Sequence, residues 1–312
     1  MLHGHMVSVS SLVLLPGGRL ASGDVLGTVR LWDAARGGEA TAVLKGHGGH
    51  VRALAVLPDG RRLAAGVDAD GSEKGAIVEW DTGVVPPTRC ATVDCDSSVW
   101  ALAVLRDGCL AVGCADGGVR LVEVDAAAGA VVVMLEGHTK EVVALAVLPD
   151  GTLASGSYDK TVRLWNVGAP ACVATLAEHS KLVTAMTVLT DGRLASGSYD
   201  ASVRLWDVAS RACVGVLKGH THIVSALAAL PDGQLASGSW DHTIRVWDTR
   251  PAAAAVGIGA HILALVKHFT PRAVVVLKGH TGMVSALQPL PGGRLASGSF
   301  DGTVHLWRVP PP

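Results

Sequence analysis

The chain has 312 residues, 49% of them hydrophobic and 17% charged, which is enough apolar material for a core and excludes a disordered chain. The formal net charge of -1 argues against nucleic-acid binding, which needs a basic face. No secretory leader is recognisable, and the longest apolar stretch, 252–266, falls short of the roughly 18 residues that a membrane span needs. The six cysteines form no CxxC pair. We therefore expect free thiols and a cytoplasmic or nuclear protein that does not bind membranes.

One unit recurs along the chain with a period of 41 residues where it is most regular, from Trp165 to Trp206 to Trp247. In four copies the tryptophan lies 27 residues after a histidine, and an aspartate lies 21 residues after that histidine. In the first copy Leu26 takes the aspartate position, and the second copy carries extra residues near 68–76. The seven copies end near Trp32, Trp80, Val122, Trp165, Trp206, Trp247 and Trp307.

Each copy contains the signals of four short strands. A valine stands four residues after the histidine position in every copy, with a small residue two positions later, and a turn of the Pro-Asp-Gly type follows. Leu-Ala-Ser-Gly-Ser, Thr-Val-Arg-Leu-Trp and residues 172–176 predict the remaining strands. The third strands carry recurrent charged residues that we expect to be solvated: Arg30, Glu79, Arg120, Arg163, Arg204, Arg245 and His305.

These repeats resemble those of the WD-repeat (WD40) β-propeller family. The resemblance implies an all-β protein: a seven-bladed propeller of four-stranded antiparallel blades, forming one domain over 1–312. Only Met1 to His3 precede the first Gly-His pair, so we expect the last blade to lack its outer strand and to leave a weak seam. Either the chain is a piece of a longer protein or has a mis-assigned start, or its ring is open or completed by a partner.

The resemblance also implies a hydrogen-bonded His-Ser-Asp-Trp set in each complete blade. The sets are His138-Ser155-Asp159-Trp165, His179-Ser196-Asp200-Trp206, His220-Ser237-Asp241-Trp247 and His280-Ser297-Asp301-Trp307. Recurrence with a tryptophan favours a structural role over acyl transfer, so we expect no catalytic residues, no cofactor and no metal site. The third copy has Cys95, Val112 and Val122 at three of these positions. Cys95 and Cys114 are then buried thiols, the alternative being a disulfide or metal pair.

The few remaining aromatic residues mark a candidate binding surface. Four of them occupy one position, immediately before the turn aspartate: Tyr158, Tyr199, Trp240 and Phe300. The resemblance places this turn at the mouth of the central channel, where the rings either bind a partner or merely cover their own turns. Neighbouring positions that we include in the surface are Arg52, Trp100, Lys140, Lys181 and His222. The lysines could hold an acidic or phosphorylated segment.

Residues 250–272 form an insertion between the third and fourth strands of blade six. Its apolar residues from Ile262 to Phe269 fit one face of a helix. The insertion is then a helix or loop folded against the propeller, a docking helix, or a disordered segment.

We conclude that the sequence predicts a non-catalytic scaffold that binds a protein or peptide on the channel-mouth face, as a monomer within a larger complex. One alternative is the substrate-recognition module of a ubiquitin-ligase-type assembly. The other is a propeller enzyme, which would need a convergent cluster of carboxylates or histidines outside the repeat positions.

Overall fold

The computed structural model describes residues 1–46, 48–68, 74–124, 131–250 and 273–311, which form seven antiparallel sheets. Each sheet consists of strands that are consecutive in the sequence. The first strand of each sheet contacts the first strand of the next, and the seventh sheet contacts the first in the same way. The sheets therefore close into a seven-bladed propeller, which confirms the expected fold.

The strands run from the channel outward in each blade. Blades one to three are β1 (Val9–Leu14), β2 (Arg19–Asp24), β3 (Val29–Asp33) and β4 (Ala42–Leu44); β5 (Val51–Val56), β6 (Arg62–Asp68), β7 (Gly75–Asp81) and β8 (Thr88–Cys95); and β9 (Val99–Val104), β10 (Leu110–Cys114), β11 (Val119–Val122) and β12 (Val131–Leu135). Blades four and five are β13 (Val142–Val147), β14 (Leu153–Ser157), β15 (Val162–Asn166) and β16 (Ala171–Leu176); and β17 (Val183–Val188), β18 (Leu194–Ser198), β19 (Ser202–Asp207) and β20 (Ala212–Lys218). Blades six and seven are β21 (Val224–Ala229), β22 (Gln234–Ser239), β23 (Thr243–Asp248) and β24 (Ala273–Lys278); and β25 (Val284–Leu290), β26 (Arg294–Ser299) and β27 (Val304–Arg308).

The antiparallel order of the strands defines two faces of the ring. The turn between the second and third strands lies at the same end as the loop that leads from one blade into the next. We call this end the upper face. The opposite end, the lower face, carries the turns between the first and second strands and between the third and fourth strands.

Neighbouring blades pack through a glycine on one second strand and a valine on the next first strand. A methyl group placed on Gly197 would lie 2.7 Å from Cγ1 of Val224, and one placed on Gly298 would lie 2.7 Å from Cγ1 of Val9. The same close approach recurs at all seven blade interfaces. The valine that the sequence repeats four residues after each histidine position is thus the residue that fills the space left by this glycine.

Hydroxyl groups on the first strands add hydrogen bonds between some blades. Ser10 Oγ donates to the Val51 carbonyl over 2.5 Å, and Ser285 Oγ donates to the Val9 carbonyl. The second of these bonds joins blade seven to blade one. The inner strands at the seam therefore carry the same kinds of contact as the other interfaces.

Blade seven has three strands, as predicted, and Leu2 takes one position of a fourth. Leu2 pairs with Val304, the two backbone N–H···O bonds being 2.8 and 3.4 Å long. In blade six the equivalent pair is Leu277 and Ile244. Leu2 is almost completely buried, whereas Trp307 at the outer edge of the blade is partly exposed.

The insertion of blade six enters after β23, which pairs directly with β24. Arg250 is described, but 251–272, including the predicted helical face from Ile262 to Phe269, lies outside the described residues.

Candidate functional site

A chain of hydrogen bonds joins four side chains of blade six. The Trp247 indole N–H donates to Ser237 Oγ over 2.8 Å, and that oxygen lies 2.7 Å from His220 Nε2. His220 Nδ1 lies 2.8 Å from Asp241 Oδ2. Because an indole nitrogen can only donate, Ser237 accepts from Trp247 and donates to Nε2, which leaves the imidazole hydrogen on Nδ1 for Asp241. One tautomer therefore satisfies all four groups.

The other three predicted sets make the same bonds at 2.7–2.9 Å: His138-Ser155-Asp159-Trp165, His179-Ser196-Asp200-Trp206 and His280-Ser297-Asp301-Trp307. We call each set a tetrad. Burial opposes ionisation of the tetrad aspartates, but hydrogen bonds from the histidine, a turn hydroxyl and backbone N–H groups outweigh it. The pKa of each carboxyl is therefore held well below its usual range.

Each tetrad contains the serine, histidine and aspartate of a catalytic triad, but its serine is not accessible to a substrate. Ser155, Ser196, Ser237 and Ser297 are completely buried, and each oxygen already contacts both a tryptophan and a histidine. A nucleophilic hydroxyl must reach a substrate, which these cannot do. The tetrads instead fix the loop before the first strand to the turn after the second.

A fifth tetrad, in blade one, is absent from the sequence prediction. His5 Nδ1 lies 2.7 Å from Asp24 Oδ2, His5 Nε2 lies 2.7 Å from Ser22 Oγ, and Trp32 donates to the same Ser22 oxygen over 2.7 Å. The repeat spacing places the aspartate at Leu26, which is exposed. Asp24 reaches the histidine from two residues earlier, and its other oxygen accepts the backbone N–H groups of the turn.

Blade three replaces the tetrad with an ion pair. Arg120 contacts Asp116 at 2.5 Å and is buried. Cys95 and Cys114 are buried free thiols, and burial raises their pKa values to about 11 and about 12.

The expectation of solvated charges on the third strands is wrong for three buried members, Arg120, Glu79 and His305.

The rings predicted to line the channel mouth form one continuous series on the upper face. Ring centroids are 5.8 Å apart between Trp100 and Tyr158, 6.2 Å between Tyr158 and Tyr199, 5.8 Å between Tyr199 and Trp240, and 6.2 Å between Trp240 and Phe300. We call these five residues the aromatic arc. It runs from blade three to blade seven, and every ring is at least partly exposed. Trp100 bridges a gap, because blade three has Ala115 at the position of the other rings.

Two further predicted residues extend the arc. The Arg52 guanidinium lies 3.7 Å from the centroid of the Trp100 ring and is held by an ion pair with Asp68 at 2.6 Å. His222 stacks on Trp240 with a centroid distance of 5.7 Å and an interplanar angle of 18°. Desolvation and the neighbouring Tyr199 raise the pKa of Tyr158 to about 12, so its phenol stays protonated.

Lys140 and Lys181 are exposed on the loops next to the arc. Each is anchored through its backbone: Ser157 Oγ donates to the Lys140 carbonyl over 3.0 Å, and Ser198 Oγ donates to the Lys181 carbonyl over 3.3 Å. These serines directly precede Tyr158 and Tyr199. The loop and the ring of each blade are therefore held at a fixed distance from each other.

The arc borders a cavity of ≈ 240 Å³ at the channel mouth, whose wall also includes His50, Ser10 and Ser285. Burial, together with the adjacent Arg52, lowers the pKa of His50 to about 4, so this ring is neutral near pH 7. A larger cavity of ≈ 560 Å³ lies on the lower face between blades four and five, where Asp150, Asp191 and Asp207 line it. It is remote from the arc.

Within the described residues, no helix has the length and apolar character needed to cross a membrane. A sequence model of the WD domain, G-beta repeat, matches the chain at 1–33, 38–76, 129–166, 170–207, 211–248 and 271–308. No curated protein matches the chain. The longest unmatched segment, 77–128, contains most of blade three, which lacks the tetrad. Six matched repeats cover most of the chain and confirm the resemblance seen in its motifs, so the chain belongs to the WD40 repeat family.

Proposed function

We propose that this protein is a non-catalytic scaffold that binds a protein or peptide segment on its aromatic arc. Propellers of the WD40 family generally serve as protein-interaction scaffolds. The observation that carries the proposal is the uninterrupted contact of five partly exposed rings beside the channel mouth. In a chain with so few aromatic residues, this surface concentrates the side chains that dominate binding energy at protein interfaces.

The fold itself does not need these rings. In every described blade turn, the backbone N–H at the ring position donates to a carbonyl before the first strand, and Val25 and Ala115 make this bond as Tyr158 and Tyr199 do. The turn therefore forms equally well with a small aliphatic side chain. This argues against the alternative in which each ring only covers its own turn.

The arrangement of the rings suits a binding surface for a second reason. Neighbouring rings meet edge to face or tilted, which limits their rotation before any partner arrives. Rigid aromatic side chains lose little conformational entropy on binding, so more of the contact energy appears as affinity. The adjoining cavity of ≈ 240 Å³ provides a recess for one partner side chain.

We also propose that the protein acts inside the cell as part of a larger assembly. All six cysteines are free, which supports action inside the cell, in the cytoplasm or nucleus. Exposed lysines next to the arc favour recognition of acidic segments, a property that a substrate-recognition module of a ubiquitin-ligase-type assembly would use. The identity of the bound proteins decides between such a module and a general scaffold.

The test compares the proteins captured by three forms of the full chain. The first is the wild type, and the second carries Tyr158→Ser, Tyr199→Ser and Trp240→Ser. The third, a matched control, carries Val173→Ser, Val274→Ser and Val276→Ser, which remove exposed apolar side chains from outer strands. Quantitative mass spectrometry should show a set of proteins lost only with the ring variant. Equal recovery by all three forms would refute the proposal.

A further inference from the structure

Two loop positions on the upper face distinguish blades four to six from the rest of the ring. The first position follows the tetrad histidine by two residues and holds Lys140, Lys181 and His222, where blade seven has Gly282. The second follows the turn aspartate and holds Lys160, Ala201 and His242, where blades three and seven have Gly117 and Gly302. The three blades with these larger residues are those that carry Tyr158, Tyr199 and Trp240.

The second position has a backbone conformation that disfavours such side chains. The φ angles are 75° at Lys160, 64° at Ala201 and 68° at His242, all in the left-handed region. Gly117 and Gly302 have the same sign of φ without the steric penalty. Residues other than glycine in this region commonly persist where function requires the side chain. In blades four and six, the residues at this position are Lys160 and His242, whose ammonium and imidazole side chains are exposed.

The exposed acidic groups of these loops lie at their outer ends, away from the turns: Glu136 and Glu178 stand within two residues of the ends of the outer strands β12 and β16, and Glu178 pairs with Arg204 at 2.7 Å. Lys140, Lys160 and Lys181 are exposed, whereas the side chains of the three turn aspartates are only 8–11% exposed and are engaged in their tetrads. Glu141 is partly buried. A segment lying over the inner part of these loops, next to the rings, would therefore meet ammonium groups before it met carboxylates.

The two imidazoles of blade six add hydrogen-bond donors. His222 Nδ1 accepts the Ile223 backbone N–H over 3.0 Å, so the hydrogen of its neutral ring lies on Nε2. The same ring stacks on Trp240, and Ser239 Oγ donates to the His222 carbonyl over 3.1 Å. The loop of blade six is thus fixed in the same way as the lysine loops of blades four and five.

We infer that the segment bound by the arc is acidic, with carboxylates over Lys140, Lys160 and Lys181 and apolar side chains on Tyr158, Tyr199 and Trp240. This inference rests on the proposed function and adds the chemistry of the partner. The lysines supply charge complementarity at the edge of an apolar strip, which sets specificity and the rate of association more than total affinity. Binding should therefore weaken as the salt concentration rises.

The test is a selection of random displayed peptides on the full chain, with the triple ring variant as the counter-selection target. Peptides enriched on the wild type over the ring variant should be rich in Asp and Glu as well as in apolar residues. Enriched peptides that are neutral or basic would overturn the inference and leave the proposed function intact. If no peptide is enriched over the ring variant, the result counts against both.

The best acidic peptide is then measured against two charge-reversed forms of the chain. Lys140→Glu, Lys160→Glu and Lys181→Glu together should weaken its binding by roughly tenfold or more. Lys45→Glu, Lys218→Glu and Lys278→Glu make the same change in net charge at exposed positions away from the arc and should change the affinity less than about twofold. Equal loss in both forms would show that only net charge matters and would refute the assigned contacts.

Discussion

His5 and Asp24 are joined by a 2.7 Å hydrogen bond although the repeat spacing assigns the partner of this histidine to position 26. The carboxylate of Asp24 enters from the end of β2 and reaches the position that a turn aspartate fills in other blades. Blade one therefore retains a complete tetrad although its aspartate stands at a different position in the repeat. The His5–Asp24 hydrogen bond depends on where the carboxylate oxygen lies in space, and a different number of residues between histidine and aspartate can still form it.

The tetrad of blade one gives the first prediction. Asp24→Ala should lower the free energy of unfolding by about 1–3 kcal/mol, because it leaves His5 buried without its acceptor. Leu26→Ala, at the exposed position that the repeat spacing indicates, should change it by less than about 0.5 kcal/mol. Urea unfolding of both variants checks this, and equal effects would remove Asp24 from the tetrad.

The glycine–valine contact between neighbouring blades gives the second prediction. Gly197→Ala should destabilise the ring by about 1–3 kcal/mol, since its methyl group would lie 2.7 Å from Val224 Cγ1. Val224→Ala opens space at the same point, so adding it to Gly197→Ala should cost less than the sum of the two single changes. A double-mutant cycle measures this coupling, and strict additivity would mean that the two residues do not share the space.

The outer strand of each blade gives the third prediction. Trp247→Ala should destabilise the protein by about 3–5 kcal/mol, because a completely buried ring is lost and Ser237 loses its donor. Trp307→Ala should cost less by about 1 kcal/mol or more, since this ring is partly exposed in the three-stranded blade seven. Unfolding experiments on the two variants decide the point. An equal cost would show that the fourth strand contributes nothing to tryptophan burial.

Acid sensitivity gives the fourth. Burial and the adjacent His280 lower the pKa of His305 from 6.5 to about 4, so the folded protein holds this ring neutral while the unfolded chain binds a proton. Stability should therefore be greatest above pH 6.5 and fall as the pH drops toward 4. The tetrad aspartates, whose folded pKa values are depressed, add a further loss below about pH 4.

His305→Arg removes the His305 contribution to this loss and leaves that of His50, whose pKa is also lowered to about 4. The change installs the residue that blades four to six carry at the same position, namely Arg163, Arg204 and Arg245. The decrease in stability between pH 6.5 and pH 4 should become smaller in this variant, as measured by unfolding at a series of pH values. An unchanged slope would assign the acid sensitivity to other groups.

The sequence predicts the blades well, because the interval from His220 to Trp247 fixes the register of one blade. It does not predict how blades meet. The aromatic arc depends on Trp100 reaching Tyr158 across an interface, and spacing within a copy carries no information about that distance. The buried Arg120 illustrates the same limit, since the recurrence of charged residues at this strand position predicts solvent exposure.

The binding role of the arc is tested most directly by amide hydrogen exchange of the full chain with and without a segment recovered from the capture experiment. We predict slower exchange in the upper-face loops around Lys140, Tyr158, Tyr199 and Trp240, and no change on the lower face. Protection confined to the lower-face cavity around Asp150 and Asp191 would contradict the account and place the binding surface on the opposite side of the ring.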